Sequence, residues 1–282
     1  MFNYSLFHLN INPGCAKIIY MGILVLILLF IVGACFGSFL CCQARRLHLR
    51  GEHKKLGRRS VCLNCKAKLK WYDNIPIISW LILKGKCRKC GKRIGAAEIL
   101  SEIGLGLTFA LFLFAASLSN KSLNLFFENA PISYLLHILV LVLVLVLAFL
   151  AIYDGLYGEL PTPFLFIAIV LALFIVALQF SLPSLVNILL SVIILGGVYL
   201  VLYLVSKGKW VGDGDWLLGV AIGLVLGHPW LTLLTLFLSN FLACLIMFPK
   251  TKGKNKRIPF GPFLVAAFFI ILAFSDFLLS ML

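Results

Sequence analysis

Eight apolar runs dominate the chain, and they constrain its fold more than any other feature. They are Ile18–Cys42, Ile99–Leu118, Ile132–Tyr153, Leu160–Phe180, Leu185–Val205, Trp216–Gly227, Trp230–Phe248 and Pro259–Leu282. A helix needs about 20 apolar residues to cross a hydrocarbon core about 30 Å thick, and seven of the runs reach or approach that length. The sixth, at 12 residues, is short and is completed by the Gly212-Asp213-Gly214-Asp215 segment before it. With only 12% of its 282 residues charged, the chain lacks the polar groups to cover a soluble domain of its size, since such domains carry about 25%. A soluble single-domain enzyme is excluded, and an all-α polytopic membrane protein with eight transmembrane helices is predicted.

The placement of the basic residues sets the expected topology. Sixteen Lys and Arg fall between Gln43 and Glu98 against Glu52, Asp73 and Glu98, so this segment alone carries +13 of the net +15. Such a block suits nucleic acid, anionic lipid, or the rule that keeps Lys and Arg on the cytoplasmic side, and in a multispanning chain orientation is the preferred reading. With the amino terminus outside, 23 of the 25 basic residues fall in inside loops and only Lys17 and Lys121 lie outside. Both termini are then expected outside. The first run lacks a basic n-region and an A-x-A site, and its basic flank lies after it, so it reads as a span and not as a cleaved signal. No internal repeat of the chain is visible. Three parts result: an amino-terminal segment with the first span (1–42), a basic cytoplasmic zinc-binding insert (43–98), and a seven-helix membrane body (99–282).

Within the insert, Cys62-Leu-Asn-Cys65 and Cys87-Arg-Lys-Cys90 form two C-x-x-C pairs with 21 residues between them. Two such knuckles facing one another make a four-sulfur tetrahedral site, the common structural zinc geometry, in which no coordination position stays open for catalysis. Two disulfides are the alternative, and a reducing cytoplasm argues against them. Trp71, Tyr72 and Trp80 between the knuckles are expected to be the small domain's core and membrane-facing anchors, not a base-stacking platform. Cys41 and Cys42 end the first span, where packing is preferred over acylation.

Acidic residues are scarce, so their positions are informative. Asp154 ends the third run while Asp213 and Asp215 open the sixth, and the topology derived from Lys and Arg alone brings all three to the cytoplasmic interface. Ionisable groups at membrane depth are costly and mark functional sites. Two carboxylates in one desolvated site share a proton near neutral pH, so one can take a proton from water while the other gives one to a scissile amide, as in an aspartic protease. Two other readings remain at this point. Asp213 reads as a helix cap, and Asp213-Gly-Asp215 is also a D-x-D pair able to hold Mg²⁺ in a transferase using a lipid-linked donor. Spacing alone does not separate them.

The ordered motifs resemble the type 4 prepilin leader peptidase family of bacterial polytopic aspartic proteases. Gly37-Ser-Phe-Leu40 with Arg46-Leu47 resembles the end of its first span, and Cys62-x-x-Cys65, Trp71-Tyr-Asp-Asn-Ile-Pro76, Ser79-Trp80 and Cys87-x-x-Cys90 resemble its insert. Glu102 occupies the position of a family glutamate, and Ile258-Pro-Phe-Gly-Pro-Phe-Leu264 is similar to the motif opening its last span. Asp154, seven residues before Pro161, and Asp215 of Gly212-x-Gly214-Asp215 resemble the two catalytic aspartates, whereas Asp213 fills a variable position. The resemblance implies removal of a short basic leader from type IV pilin or pseudopilin precursors, after a glycine, at the cytoplasmic face of the bacterial inner membrane. It also implies, for many members, methylation of the new amino terminus with S-adenosylmethionine. Cys41 stands where the family usually has asparagine and Leu217 where it often has lysine. No glycine-rich dinucleotide-type loop supports the methyl donor independently, and no nucleic-acid partner is expected.

Overall fold

The computed structural model describes residues 13–49, 60–62, 64–118, 131–179, 184–209, 211–247 and 259–281. The basic loop 250–257, Lys121, Glu128 and Glu52 lie outside the described residues. Among the described residues the chain is helical and has no named strand. Its elements are α1 (Pro13–His48), a 3-10 turn (Trp71–Asn74), α2 (Ile78–Ile82), α3 (Ala96–Leu118), α4 (Pro131–Tyr157), α5 (Thr162–Leu178), α6 (Ser184–Val192), a π turn (Ile193–Gly197), α7 (Val198–Ser206), α8 (Asp215–Leu226), α9 (Pro229–Met247), α10 (Gly261–Ala273) and α11 (Ser275–Ser280). Among the described residues, four helical stretches are long and apolar enough to cross a membrane: Gly22–His48, Leu135–Tyr157, Ser184–Ser206 and Pro229–Ile246. Thr162–Leu178, Asp215–Leu226 and Gly261–Ala273 are apolar but shorter.

Several helices run past the apolar stretch that announced them. α1 continues through Gln43-Ala-Arg-Arg-Leu-His48, because these residues are compatible with a helix even though they are not apolar. α4 likewise carries Asp154 inside its last turn and ends only where Gly158 adopts a left-handed φ of 71°, a conformation that glycine adopts without a Cβ penalty. The last run is split at Phe274 into α10 and α11. The expected boundary between insert and body at residue 98 falls inside α3, which begins at Ala96.

Close packing between helices is built on glycine. On α1, a Cβ at Gly33 would lie 2.5 Å from the Leu105 carbonyl oxygen, and one at Gly37 would collide with the Ser101 backbone on α3. On α8, Gly219 and Gly223 lie against the backbone of the π turn and α6, where an added Cβ would come within 3.1 Å of Leu195 O and 2.9 Å of Ser191 O. Both glycine series therefore pack helices within one chain. Gly227 instead ends α8 with φ 56°. The main core is Leu143, Leu147 and Leu150 of α4 with Leu165, Leu195, Leu218, Ile222, Leu264 and Phe268, all essentially without solvent contact. Many large apolar side chains point outward, among them Val170 and Phe174 on α5 and Phe237 and Phe241 on α9, as expected of surfaces that meet lipid.

Helix ends expected inside the cell meet at one end of the bundle. The last turns of α1 and α4 touch through His48, whose ring stacks on Tyr157 at 3.7 Å. Arg45 of α1 pairs with Glu98 of α3 at 2.6 Å. The α4–α5 and α7–α8 connections line one cavity together with Phe260 before α10.

Candidate active site and metal centre

That cavity, of about 510 Å³, is bordered by Asp154, Glu159, Tyr203, Asp213, Asp215 and Phe260 among others. Four of the ten acidic residues in the chain thus border one cavity. Asp154 is 4% and Asp215 6% exposed, and they form the floor, whereas Glu159 and Asp213 stand exposed at the rim.

Each buried carboxylate is held by one backbone donor. Gly261 N–H donates to Asp154 Oδ2 at 2.8 Å, and Gly212 N–H donates to Asp215 Oδ2 at 2.9 Å. A backbone donor fixes a carboxylate without supplying a neutralising charge. Asp215 also occupies the first turn of α8, where the helix dipole favours an anion. The glycines are steric requirements: a Cβ on Gly261 would sit 2.8 Å from Asp154 Oδ2, and one on Gly214 would sit 2.6 Å from Leu160 Cβ. The N-cap of α8 is Gly214 with no side-chain cap bond, so the structure gives Asp213 no capping role. A second, mainly apolar groove of about 510 Å³ lies between α1, α4 and α5. It is lined by Phe149, which at 100° per residue is roughly 140° around α4 from Asp154, so the groove and the carboxylates lie on different faces.

All four insert cysteines come together: their Sγ atoms lie within 4.8 Å of one another, and Cys62 Sγ is 3.9 Å from Cys90 Sγ. A tetrahedral zinc with ~2.3 Å bonds needs its sulfurs ~3.8 Å apart, so the donor set fits the ion. The two knuckles repeat one local design. Cys62 N–H bonds Ala67 O and Lys66 N–H bonds Cys62 O, both at 2.9 Å; Cys87 N–H with Lys92 O and Gly91 N–H with Cys87 O do the same at 2.9 Å. Lys66 and Gly91, each following the second cysteine of its pair, adopt φ 53° and 67°. The Lys92 backbone N–H and the Asn64 amide bring the Cys90 pKa down to about 6, while the neighbouring thiols push Cys65 up to about 11, so without a metal the cluster favours the thiolate at Cys90 and not at Cys65. The described cysteines are all free, which leaves the disulfide alternative without support. Trp71 is 79% exposed and is no core residue, while Trp80 lies beneath Gly85, where a Cβ would be 2.9 Å from the indole. Cys41, 1% exposed, packs between α1 and its neighbours.

Residues 31–116 match the Bacterial Peptidase A24 N-terminal domain, and residues 141–248 match the Type IV leader peptidase family. The prepilin leader peptidase/N-methyltransferase of Dichelobacter nodosus is 30% identical over 212 residues, which cover 74% of this chain and 68% of that protein. The chain belongs to the type IV leader peptidase family. The family member of the same description from Legionella pneumophila is 28% identical over 255 residues, 85% of this chain and 82% of its own length. The one from Myxococcus xanthus is 41% identical over 90 residues, 32% of this chain and 26% of that protein. No solved structure matches the chain.

Set against the sequence, the family member's structure brings Asp154, Asp215 and Asp213 to one cavity and Cys62, Cys65, Cys87 and Cys90 to one cluster. Three features were not read from sequence. In sequence Gly261 is only part of a motif, yet its N–H holds Asp154. Glu159 joins the rim, and its distance of five residues from Asp154 was the only available signal. Glu102, buried at 6%, accepts the Ile77 N–H through Oε2 at 2.7 Å; that pairing joins α3 to the insert and has no local signature.

Proposed function

We infer that this chain removes the leader from type IV prepilin-like precursors, with Asp154 and Asp215 as the pair that activates water. The observation that carries the reading is two carboxylates, nearly sealed from solvent, on the floor of one cavity and each held by a glycine N–H. In the ionised member of the pair, the carboxylate takes a proton from the attacking water. The protonated partner gives its proton to the carbonyl oxygen, forming a gem-diol; on collapse the proton taken from water passes to the leaving amine and a gem-diol hydroxyl returns a proton to the partner carboxylate. Gly261 and Gly212 keep the carboxyl groups oriented, so little reorganisation is needed at the moment of attack.

All eight predicted spans coincide with helical segments, and we assign eight crossings with both termini outside and the cavity at the cytoplasmic face of the bacterial inner membrane. The 12-residue α8 is about 18 Å long at 1.5 Å per residue, shorter than the hydrocarbon core. Its first turn is thereby sunk below the surface, which accounts for a carboxylate buried in an otherwise apolar run. The precursor's cleavage site, after a glycine, is presented to that depth from the cytoplasm.

The four-cysteine cluster holds a structural zinc in this reading, with Cys62, Cys65, Cys87 and Cys90 as ligands. Methylation of the new amino terminus is assigned to the amino-terminal module. There the buried Arg45 Nε and Glu98 Oε2 have no hydrogen-bond partner among the described residues; they suit the carboxylate and the cationic end of S-adenosylmethionine. That donor, when bound, supplies the methyl group. Arg45 and Glu98, which pair with each other at 2.6 Å, would hold and orient it where the end of α1 meets the start of α3, and equilibrium binding of the donor to an Arg45→Gln variant tests the assignment apart from turnover.

The test of the proteolytic reading is incubation of the purified enzyme with a prepilin-type precursor without free Mg²⁺. Leader release should persist. A strict Mg²⁺ requirement would favour the D-x-D transferase reading of Asp213 and Asp215.

A further inference from the structure

The insert does not stand away from the membrane body. Its α2 is joined to α3 by the 2.7 Å bond from Ile77 N–H to Glu102 Oε2. Ile77 has φ 63° and ψ −52°, and Ile78 N–H returns to Pro76 O, which makes a γ-turn of the strained hand, rare for a β-branched residue. A buried carboxylate on the N–H of that turn fixes where α2 begins. Glu102 is six residues into α3, so α2 starts about 9 Å along a helix that leads into the membrane.

At that level α2 shows an apolar face that is exposed among the described residues. Ile78 is 55%, Leu81 58% and Ile82 69% exposed, and their i, i+3, i+4 spacing puts them on one side. The 3-10 turn bearing Trp71 packs on the same small helix. α3 also exposes apolar side chains, Leu100 at 66% and Leu107 at 50% one heptad on. Charge surrounds this face. Residues 60–95 carry nine Lys and Arg against Asp73 alone, so the segment stays strongly positive even with a doubly negative zinc–tetrathiolate centre.

We propose that α2 is an interfacial anchor: Ile78, Leu81 and Ile82, with Trp71 beside them, enter the headgroup–acyl boundary of an anionic leaflet, and the Glu102–Ile77 bond sets their depth. Two observations select lipid as the occupant. The apolar face is tied by the Ile77–Glu102 bond to a helix that itself exposes Leu100 and Leu107, and its basic surround complements anionic headgroups. Trp at such a boundary has its ring in the apolar zone and its N–H in the wet one. The anchor holds the zinc insert against the membrane whatever reaction the cavity performs.

The test uses the full chain reconstituted in phosphatidylcholine–phosphatidylglycerol vesicles. An Ile82→Trp variant places a reporter on α2, and the difference from wild-type fluorescence isolates it from the native tryptophans. Retention of the metal equivalent shows that the insert is folded. Lipids brominated near the headgroup should quench the reporter roughly two-fold or more, with aqueous iodide having little effect. A second variant, Leu81→Asp in the Ile82→Trp background, should reverse that preference. Quenching by iodide and not by brominated lipid would overturn the proposal. So would shielding from both quenchers, which would mean a second protein copy covers the face.

Discussion

Substituting Gly261 by alanine should disable the enzyme through one methyl group. The added Cβ would lie 2.8 Å from Asp154 Oδ2 and 3.3 Å from both its Cβ and Cγ, whereas ordinary contacts start near 3.4 Å. The carboxylate can turn away, but that breaks the 2.8 Å bond from Gly261 N–H, worth about 1.5–3 kcal/mol when the acceptor is charged. Otherwise α10 must shift, at about 1–3 kcal/mol for overpacking. A displacement of the order of 1 Å in a reacting group costs roughly 10²-fold in rate, so kcat should fall by about 10- to 100-fold with the protein still in the membrane. The assay is initial-rate leader cleavage in proteoliposomes at saturating precursor. Gly155→Ala is the matched control: it is adjacent to Asp154, but its Cβ would meet only Pro262 Cγ at 3.5 Å, and activity should be near wild type. Wild-type kcat in Gly261→Ala would refute the claim that this N–H holds a catalytic carboxylate.

Further predictions address the remaining parts of the structure. Asp213→Asn should retain cleavage, because Asp213 is exposed at the rim and is not the carboxylate held by Gly212; loss of activity would support a D-x-D role. Cys62→Ser combined with Cys87→Ser should lose the metal equivalent measured by elemental analysis, and full retention would contradict the four-thiolate assignment. Gly37→Leu should separate α1 from α3, since even a Cβ collides with the Ser101 backbone, and should lower the detergent melting temperature and the yield of folded protein. Normal stability there would contradict the observed approach of the two helices.

Much of this arrangement was legible because a bilayer imposes simple rules on sequence. Apolar length marked every helical segment of the body, the Lys and Arg distribution grouped the same helix ends that the structure brings together, and the C-x-x-C spacing marked the cysteine cluster. Asp154 and Asp215 stood out because a carboxylate next to an apolar run is costly. Hydropathy did not locate helix ends, since α1 and α4 continue through polar residues that still favour or tolerate a helix. It also missed the π turn, where Gly196 meets the closely approaching α8. The Gly261–Asp154 and Ile77–Glu102 bonds span 107 and 25 residues of sequence and rest on backbone donors that every residue type except proline offers. Side-chain patterns carry no record of them.

The most direct test of the central claim is mass spectrometry of a prepilin-type precursor after incubation with wild-type, Asp154→Asn and Asp215→Asn proteins reconstituted at equal amounts. The wild type should release the leader with a single cut, and the same product spectrum shows whether a methyl group, 14 Da on the scale of any amine methylation, has been added. Both asparagine variants should remain in the membrane and leave the precursor intact. Normal leader release by either variant would contradict the assignment of Asp154 and Asp215 as the water-activating pair.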